Sequence, residues 1–232
     1  CRILREAIKE QPANLPLFDL YTSAFNKWLE TQFAVAHTHF ETKDFASAVG
    51  VLEAMHTEAP KNVTILSLLQ QANMGLARQW MEHAQYLLTQ KDEDGAAKAY
   101  TTAIELQPNL REPSERLQEL NHERALHADQ RAEAFLQQEN YPSALSSWEQ
   151  AQLLVPSPER AAKIEKAQIA FEFATGMENY NLKQYPQAIF QFQKVLARDP
   201  EHTAAKRFLQ FSQRFTNDTA TETVQSRFSM LE

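Results

Sequence analysis

The stretch Tyr185–Pro200 reads YPQAIFQFQKVLARDP, and three upstream stretches repeat its plan: FASAVGVLEAMHTEAP at 45–60, DGAAKAYTTAIELQP at 94–108 and YPSALSSWEQAQLLVP at 141–156. Each carries an alanine (Ala48, Ala96, Ala144, Ala188) and, four residues on, a large apolar residue (Leu52, Tyr100, Trp148, Phe192). Each ends at a proline: Pro60, Pro108, Pro156, Pro200. Counting Pro12, the prolines lie 48 residues apart until the last step, which is 44. The difference is about one helical turn, which a long helix absorbs while keeping its buried stripe roughly on one side. Alanine and a large residue one turn apart predict a packed helix. Proline predicts where it stops.

The composition agrees with helices throughout. The chain has 232 residues and only 4 glycines, where average usage gives roughly 16. So few glycines disfavour sandwiches, propellers and glycine-rich nucleotide folds, which need many left-handed turns. Hydrophobic residues make up 43% and charged residues 23%, the balance of a chain that folds around a core. No apolar run is long enough to predict a membrane span. The one cysteine, Cys1, has no internal partner for a disulfide.

With these positions in hand, the chain resembles the tetratricopeptide repeat (TPR) family, whose unit is two antiparallel helices. The resemblance covers roughly residues 1–215. Small residues fall at the family's first-helix crossing position (Ala36, Ala84, Ala132, Gly176) and at its second-helix crossing position (Ala48, Ala96, Ala144, Ala188). Phe45, Glu93, Tyr141 and Tyr185 open the second helices, and Met55, Ala103, Ala151 and Val195 lie near their ends. The resemblance implies an all-α, right-handed solenoid of TPR-like helix pairs. Units of 44–48 residues exceed the family's usual 34. The excess lies before each first helix, so long helices are expected over 64–90, 114–138 and 158–182, with the extra turns either continuous or broken off as a third helix. In the first and fourth units the first-helix aromatics (Phe33 and Phe40, Phe173 and Tyr180) fall one place later than in the others.

The expected organisation is one solenoid over 1–215: a partial repeat 1–12, repeats at 13–60, 61–108, 109–156 and 157–200, a capping helix 201–215, and a polar, disordered tail 216–232. The opening residues read as the middle of a second helix, since EAIKEQP at 6–12 parallels TAIELQP at 102–108. The chain is thus expected to be a piece of a longer repeat protein that self-associates through its open half-repeat. A lipidated Cys1 in a bacterial envelope protein is the alternative.

Catalytic and cofactor signals are weak. No phosphate loop or dinucleotide fingerprint occurs. His122 and His127 are five apart, about 140° around a helix, where a zinc pair needs four. No metal, cofactor or catalytic residue is therefore assigned. The aromatics sit at core positions, and a net charge of −7 opposes nucleic acid. What remains is a protein-binding scaffold in the cytoplasm or periplasm. The alternative function is a regulatory or anchoring segment of a larger enzyme or envelope protein. The resemblance places the concave groove on first-helix positions: Arg78, Met81, Gln85, Leu88 and Thr89 in the second unit, Leu126, Asp129, Glu133, Leu136 and Gln137 in the third. Asp129 and Glu133 lie one turn apart. They suggest an acidic strip for a basic or amphipathic protein segment, or a solvated face paired with Arg124 or Arg131. Carboxylates there oppose a chaperone-tail clamp.

Overall fold

A computed structural model describes the backbone of residues 2–10 and 14–229 and the side chains of 6–10 and 14–216. Cys1, Pro12, the side chains of Ile3 and Leu4, and those beyond Thr216 lie outside the described residues. Among the described residues all the regular structure is helical: α1 (Arg2–Glu10), α2 (Leu15–Glu41), α3 (Phe45–Glu58), α4 (Val63–Thr89), α5 (Glu93–Leu106), α6 (Arg111–Gln137), α7 (Tyr141–Leu154), α8 (Pro158–Asn181), α9 (Tyr185–Arg198) and α10 (Thr203–Ser229). Long helices of 24–27 residues alternate with short ones of 14 from α2 onward. The extra residues of each unit therefore extend the long helix and do not form a third.

Two turn types alternate along the chain. At each long-to-short turn, one residue takes a left-handed backbone: Lys43, Lys91, Glu139 and Lys183, with φ of 57–62°. The N–H of each bonds back to Phe40, Leu88, Leu136 or Tyr180. The next N–H reaches one residue further back, to His39, Leu87, Phe135 or Asn179. That double closure is the Schellman motif, which satisfies the last helical carbonyls. Glycine is the usual occupant. Here a β-carbon is carried in the left-handed region at a cost of roughly 1–2 kcal/mol per residue, which explains how so few glycines suffice. The following residue then caps the short helix: Asp44 accepts from Ser47, Asp92 from Gly95 and Asn140 from Ser143. The Ser47 bonds hold the Asp44 carboxyl below its ordinary 3.8. That cap acts at neutral pH and is lost as pH falls through the lowered folded value. At the fourth turn Gln184 makes no side-chain cap bond.

The short-to-long turns have another cause. Ala59, Gln107, Val155 and Asp199 each precede a proline and have left the helical region, with φ between −124° and −141°. Proline's ring disfavours α geometry in the residue before it, so each short helix ends there. The N–H of each still bonds back one turn, to Met55, Ala103, Ala151 or Val195.

The chain divides into two compact units, Cys1–Leu120 and Asn121–Glu232. In the first unit, Ala36, Ala48, Leu52, Met55, Ile65 and Ala72 form one buried cluster, and Ala77, Met81, Ala84, Ala96, Tyr100, Ala103 and Leu120 another. The first half of α4 lies along α3, where a β-carbon on Gly75 would meet the Phe45 ring at 2.6 Å, and just past its middle Gln79 Nε2 donates to the carbonyl of Lys43, in the turn before α3, at 2.8 Å. Its second half packs on α5. Burial of the Tyr100 hydroxyl raises its pKa, so its ionisation opposes folding at high pH. In the second unit, α8 repeats the plan. Ile164, Ala167 and Phe171 pack with Ala144 and Trp148 of α7, and Gly176 lies under the Phe192 ring of α9. Leu120 of α6 joins the α5 cluster, and the buried residues from Ala125 join clusters with α7.

The backbone of α10 differs from the expected short cap and disordered tail. It is one helix of 27 residues, as long as α2, α4 and α6. No proline or glycine interrupts 203–229, so nothing local stops it. Its first half packs on α9 through Ala205, Phe208 and Leu209, as the first half of α4 packs on α3.

Ala144 is fully buried, whereas Ala134 is exposed. Ala144→Leu is expected to destabilise by about 1–3 kcal/mol and Ala134→Leu by less than about 0.5 kcal/mol, read from denaturant midpoints. Gln184→Asn supplies the missing cap and is expected to stabilise by about 0.5–1 kcal/mol in the same assay.

Candidate protein-binding surface

On a helix, residues seven apart share a face and a residue three on is turned about 60° from it. In the first unit this separates Arg78 and Gln85, both exposed, from Met81, which is 6% exposed and belongs to the core cluster of α4 and α5. Met81 thus lies under the surface that the repeat resemblance assigns to it. The outward row of α4 is Arg78, Glu82, Gln85 and Thr89. Beside it Leu88 and Tyr86 are exposed, and the His83 ring lies between Trp80 and Tyr86, at centroid distances of 5.7 and 6.5 Å. Tyr86 and His83 are absent from the sequence-derived set. The spacing Trp80, His83, Tyr86 is their one local signal.

The second unit has the same geometry with different chemistry. Leu126, Gln130, Glu133 and Gln137 form the outward row of α6. Asp129 occupies the inward-turned place that Met81 holds in α4. Its carboxylate is gripped by Arg160 of α8 in two parallel bonds, Nε to Oδ1 and Nη2 to Oδ2, each 2.7 Å. The Arg160 side chain is only 10% exposed. Its remaining nitrogen, Nη1, donates to the carbonyls of Ala151 (3.3 Å) and Val155 at the end of α7 and to Gln152 Oε1 (3.4 Å). Asp129 hydrogen bonding raises the guanidinium pKa against the opposing effect of burial. Arg160 thus fastens three helices. At its place in the first turn, α4 and α6 bury Ile65 and Pro113, and α10 buries Ala205.

Glu133 is exposed, and Lys163 Nζ lies 2.6 Å from its Oε1. That hydrogen bond raises the Lys163 pKa above 10.5, so the pair's contribution is lost only as pH rises through the shifted value. The carboxylates at 129 and 133 are therefore held by Arg160 and Lys163 from the next long helix, while Arg131 donates to Gln150. The strip is a charge-balanced surface, flanked by exposed Leu126 and Leu136.

A half-buried carboxylate whose partner is removed, or the reverse, leaves an uncompensated charge. Arg160→Met and Asp129→Met are each expected to cost about 3 kcal/mol. The double variant should cost at least about 2 kcal/mol less than their sum, measured as a double-mutant cycle of urea midpoints.

Residues 68–110 match the family model described as Tetratricopeptide repeat. The match runs from the sixth residue of α4 through α5, leaving out the extended start of the long helix. No curated protein matches the chain. Among solved structures, an Arabidopsis OM64 TPR domain aligns at 22% identity over 61% of this chain and 98% of that one, with a TM-score of 0.21. The Thermus thermophilus protein TTC0263, a thermophilic TPR protein, aligns at 15% over 91% and 88%, also at 0.21. A chain of the APC/C hetero-tetramer Cut9–Hcn1 aligns at 13% over 91% and 52%, at 0.20. Residues 68–110 thus match a tetratricopeptide repeat, and the fold of the chain, four repeated pairs of a long and a short helix, is all-α and TPR-like.

Proposed function

We propose that the chain is a non-enzymatic scaffold that binds a segment of a partner protein on the outward faces of its long helices. The observation that supports this most is the mixed row on α4, where Arg78 and Gln85 stand exposed beside Tyr86 at 59% and Leu88 at 36% exposure. Exposed aromatic and aliphatic groups beside polar ones offer contact area together with directional hydrogen bonds. On α6, Glu133 and Gln137 beside Leu126 offer the same kind of surface. Met81 and Asp129 act beneath these rows by fixing the helices that carry them.

The partner segment is basic or amphipathic. The whole chain carries −7, and residues 1–120 hold 16 acidic and 11 basic groups, a net −5. Charge of this kind raises encounter rates for a basic partner and is screened by salt.

Site-specific photo-crosslinkers at Gln85 and Gln137 in the whole chain are expected to capture a protein from native extract. The same crosslinker at Thr101, exposed on a short helix, should capture several-fold less. With the captured protein purified, Tyr86→Ala should weaken binding about tenfold at any salt. Glu82→Gln, which removes an exposed carboxylate from the α4 row, should weaken it about two- to fivefold at low salt and little at about 0.5 M. Equal capture from both helix types, or full affinity in both variants, would remove this reading.

A further inference from the structure

A capping side chain recurs ahead of the long helices α2, α4 and α8. Asn14 accepts the Leu17 N–H, Asn62 those of Thr64 and Ile65, and Ser157 that of Arg160. Ahead of α10 the same place holds His202, whose Nδ1 accepts the Ala205 N–H at 3.1 Å. The imidazole lies against the Phe173 ring, with centroids 4.9 Å apart. Amide and hydroxyl caps do not titrate near neutrality, whereas imidazole does. Only an unprotonated ring nitrogen accepts a hydrogen bond, since both nitrogens of the cation are donors. Protonation at Nδ1 would set a donor against the Ala205 donor. It would also put positive charge at the positive end of the helix dipole.

We propose that His202 is a pH-sensitive latch for α10. Its neutral ring holds the first turn of α10 on α9, and protonation of the ring on acidification loosens it. The sign follows from the acceptor role: the neutral form is the one that caps, so the stabilisation is present at high pH and lost as pH falls. The latch controls a particular surface. Ala205 is fully buried, and Phe208 packs against Phe173, Tyr180 and Phe192 at 6.4, 5.2 and 6.0 Å. Release of α10 would open this apolar face of α8 and α9.

The charged groups around the ring are already engaged. At the end of α9, Asp199 Oδ1 accepts the Glu201 N–H, and Arg198 holds Glu165 and Glu172 of α8. Beside the ring, Glu201 pairs with Lys206. The Phe173 ring favours the cation, by a cation–π attraction that is small at a solvent-accessible site.

The test is amide hydrogen exchange of the 232-residue chain, read by mass spectrometry at about pH 8 and about pH 5, on either side of the imidazole range, and corrected for intrinsic rates. In the native sequence, opening of the peptide spanning 203–212 should rise roughly fivefold at the acidic pH, the size of a lost helix cap. The peptide spanning 63–72, capped by Asn62, should not change. His202→Asn keeps an acceptor that cannot be protonated and should abolish the rise. His202→Ala should show the higher opening at both pH values. A native response that is flat, or a rise that persists unchanged in His202→Asn, would overturn the proposal.

Discussion

Each long helix packs on the following short helix around small buried residues: Ala36 and Ala48, Ala84 and Ala96, Ala132 and Ala144, Gly176 and Ala188. The alanines of these pairs are buried to 1% exposure or less. Close approach at that point lets Leu52, Tyr100, Trp148 and Phe192, one turn further along the short helices, fill the space against the long ones. At the crossing of α8 and α9 a β-carbon on Gly176 would meet the Phe192 ring at 2.7 Å. The glycine is required there by approach, not by backbone conformation, since its φ is not positive.

The crossings demand turns of fixed geometry, and the chain makes them with few glycines. One class of turn places lysine or glutamate in the left-handed region, and the other uses the proline that distorts the residue before it. Both cost local conformational energy, and both recur at the same place in every unit described. The packing that follows each turn is what offsets that cost. Stability is thus exchanged for register: a helix that ends one residue late would rotate its buried stripe by about 100°.

This also explains how much the sequence reveals. The prolines, the small crossing residues and the large ones beside them are periodic, and periodicity survives without coordinates. The length of the long helices is legible too, but not their continuity, because no residue in 64–76 or 114–124 signals either a break or its absence. The candidate site is less legible. Met81 and Asp129 fall on the groove positions of the family pattern, yet extended long helices bring a neighbour over those positions, and the pattern of a shorter unit does not contain it. Arg160 has no local signal at all, since its partner is 31 residues upstream. A local reading also treats 216–229 as tail because it is polar, although polarity alone does not end a helix.

Asp129 and Arg160 replace, in one unit, an apolar contact that the other unit makes with Met81. Buried pairs of this kind seldom add stability over an apolar contact, because desolvation consumes most of the attraction. What the pair adds is direction. Arg160 must meet two carboxylate oxygens and the end of α7 at once, so only one rotation and translation of α8 satisfies it, whereas methionine tolerates several. The outward rows on α6 and α8 are then fixed relative to each other within that unit. A second consequence is electrostatic. With Asp129 and Glu133 neutralised from α8, charge steering of a partner must come from the chain's overall −7 and not from a local acidic strip. Specificity, in turn, must come from the shape of exposed groups such as Leu126, Leu136 and Tyr86.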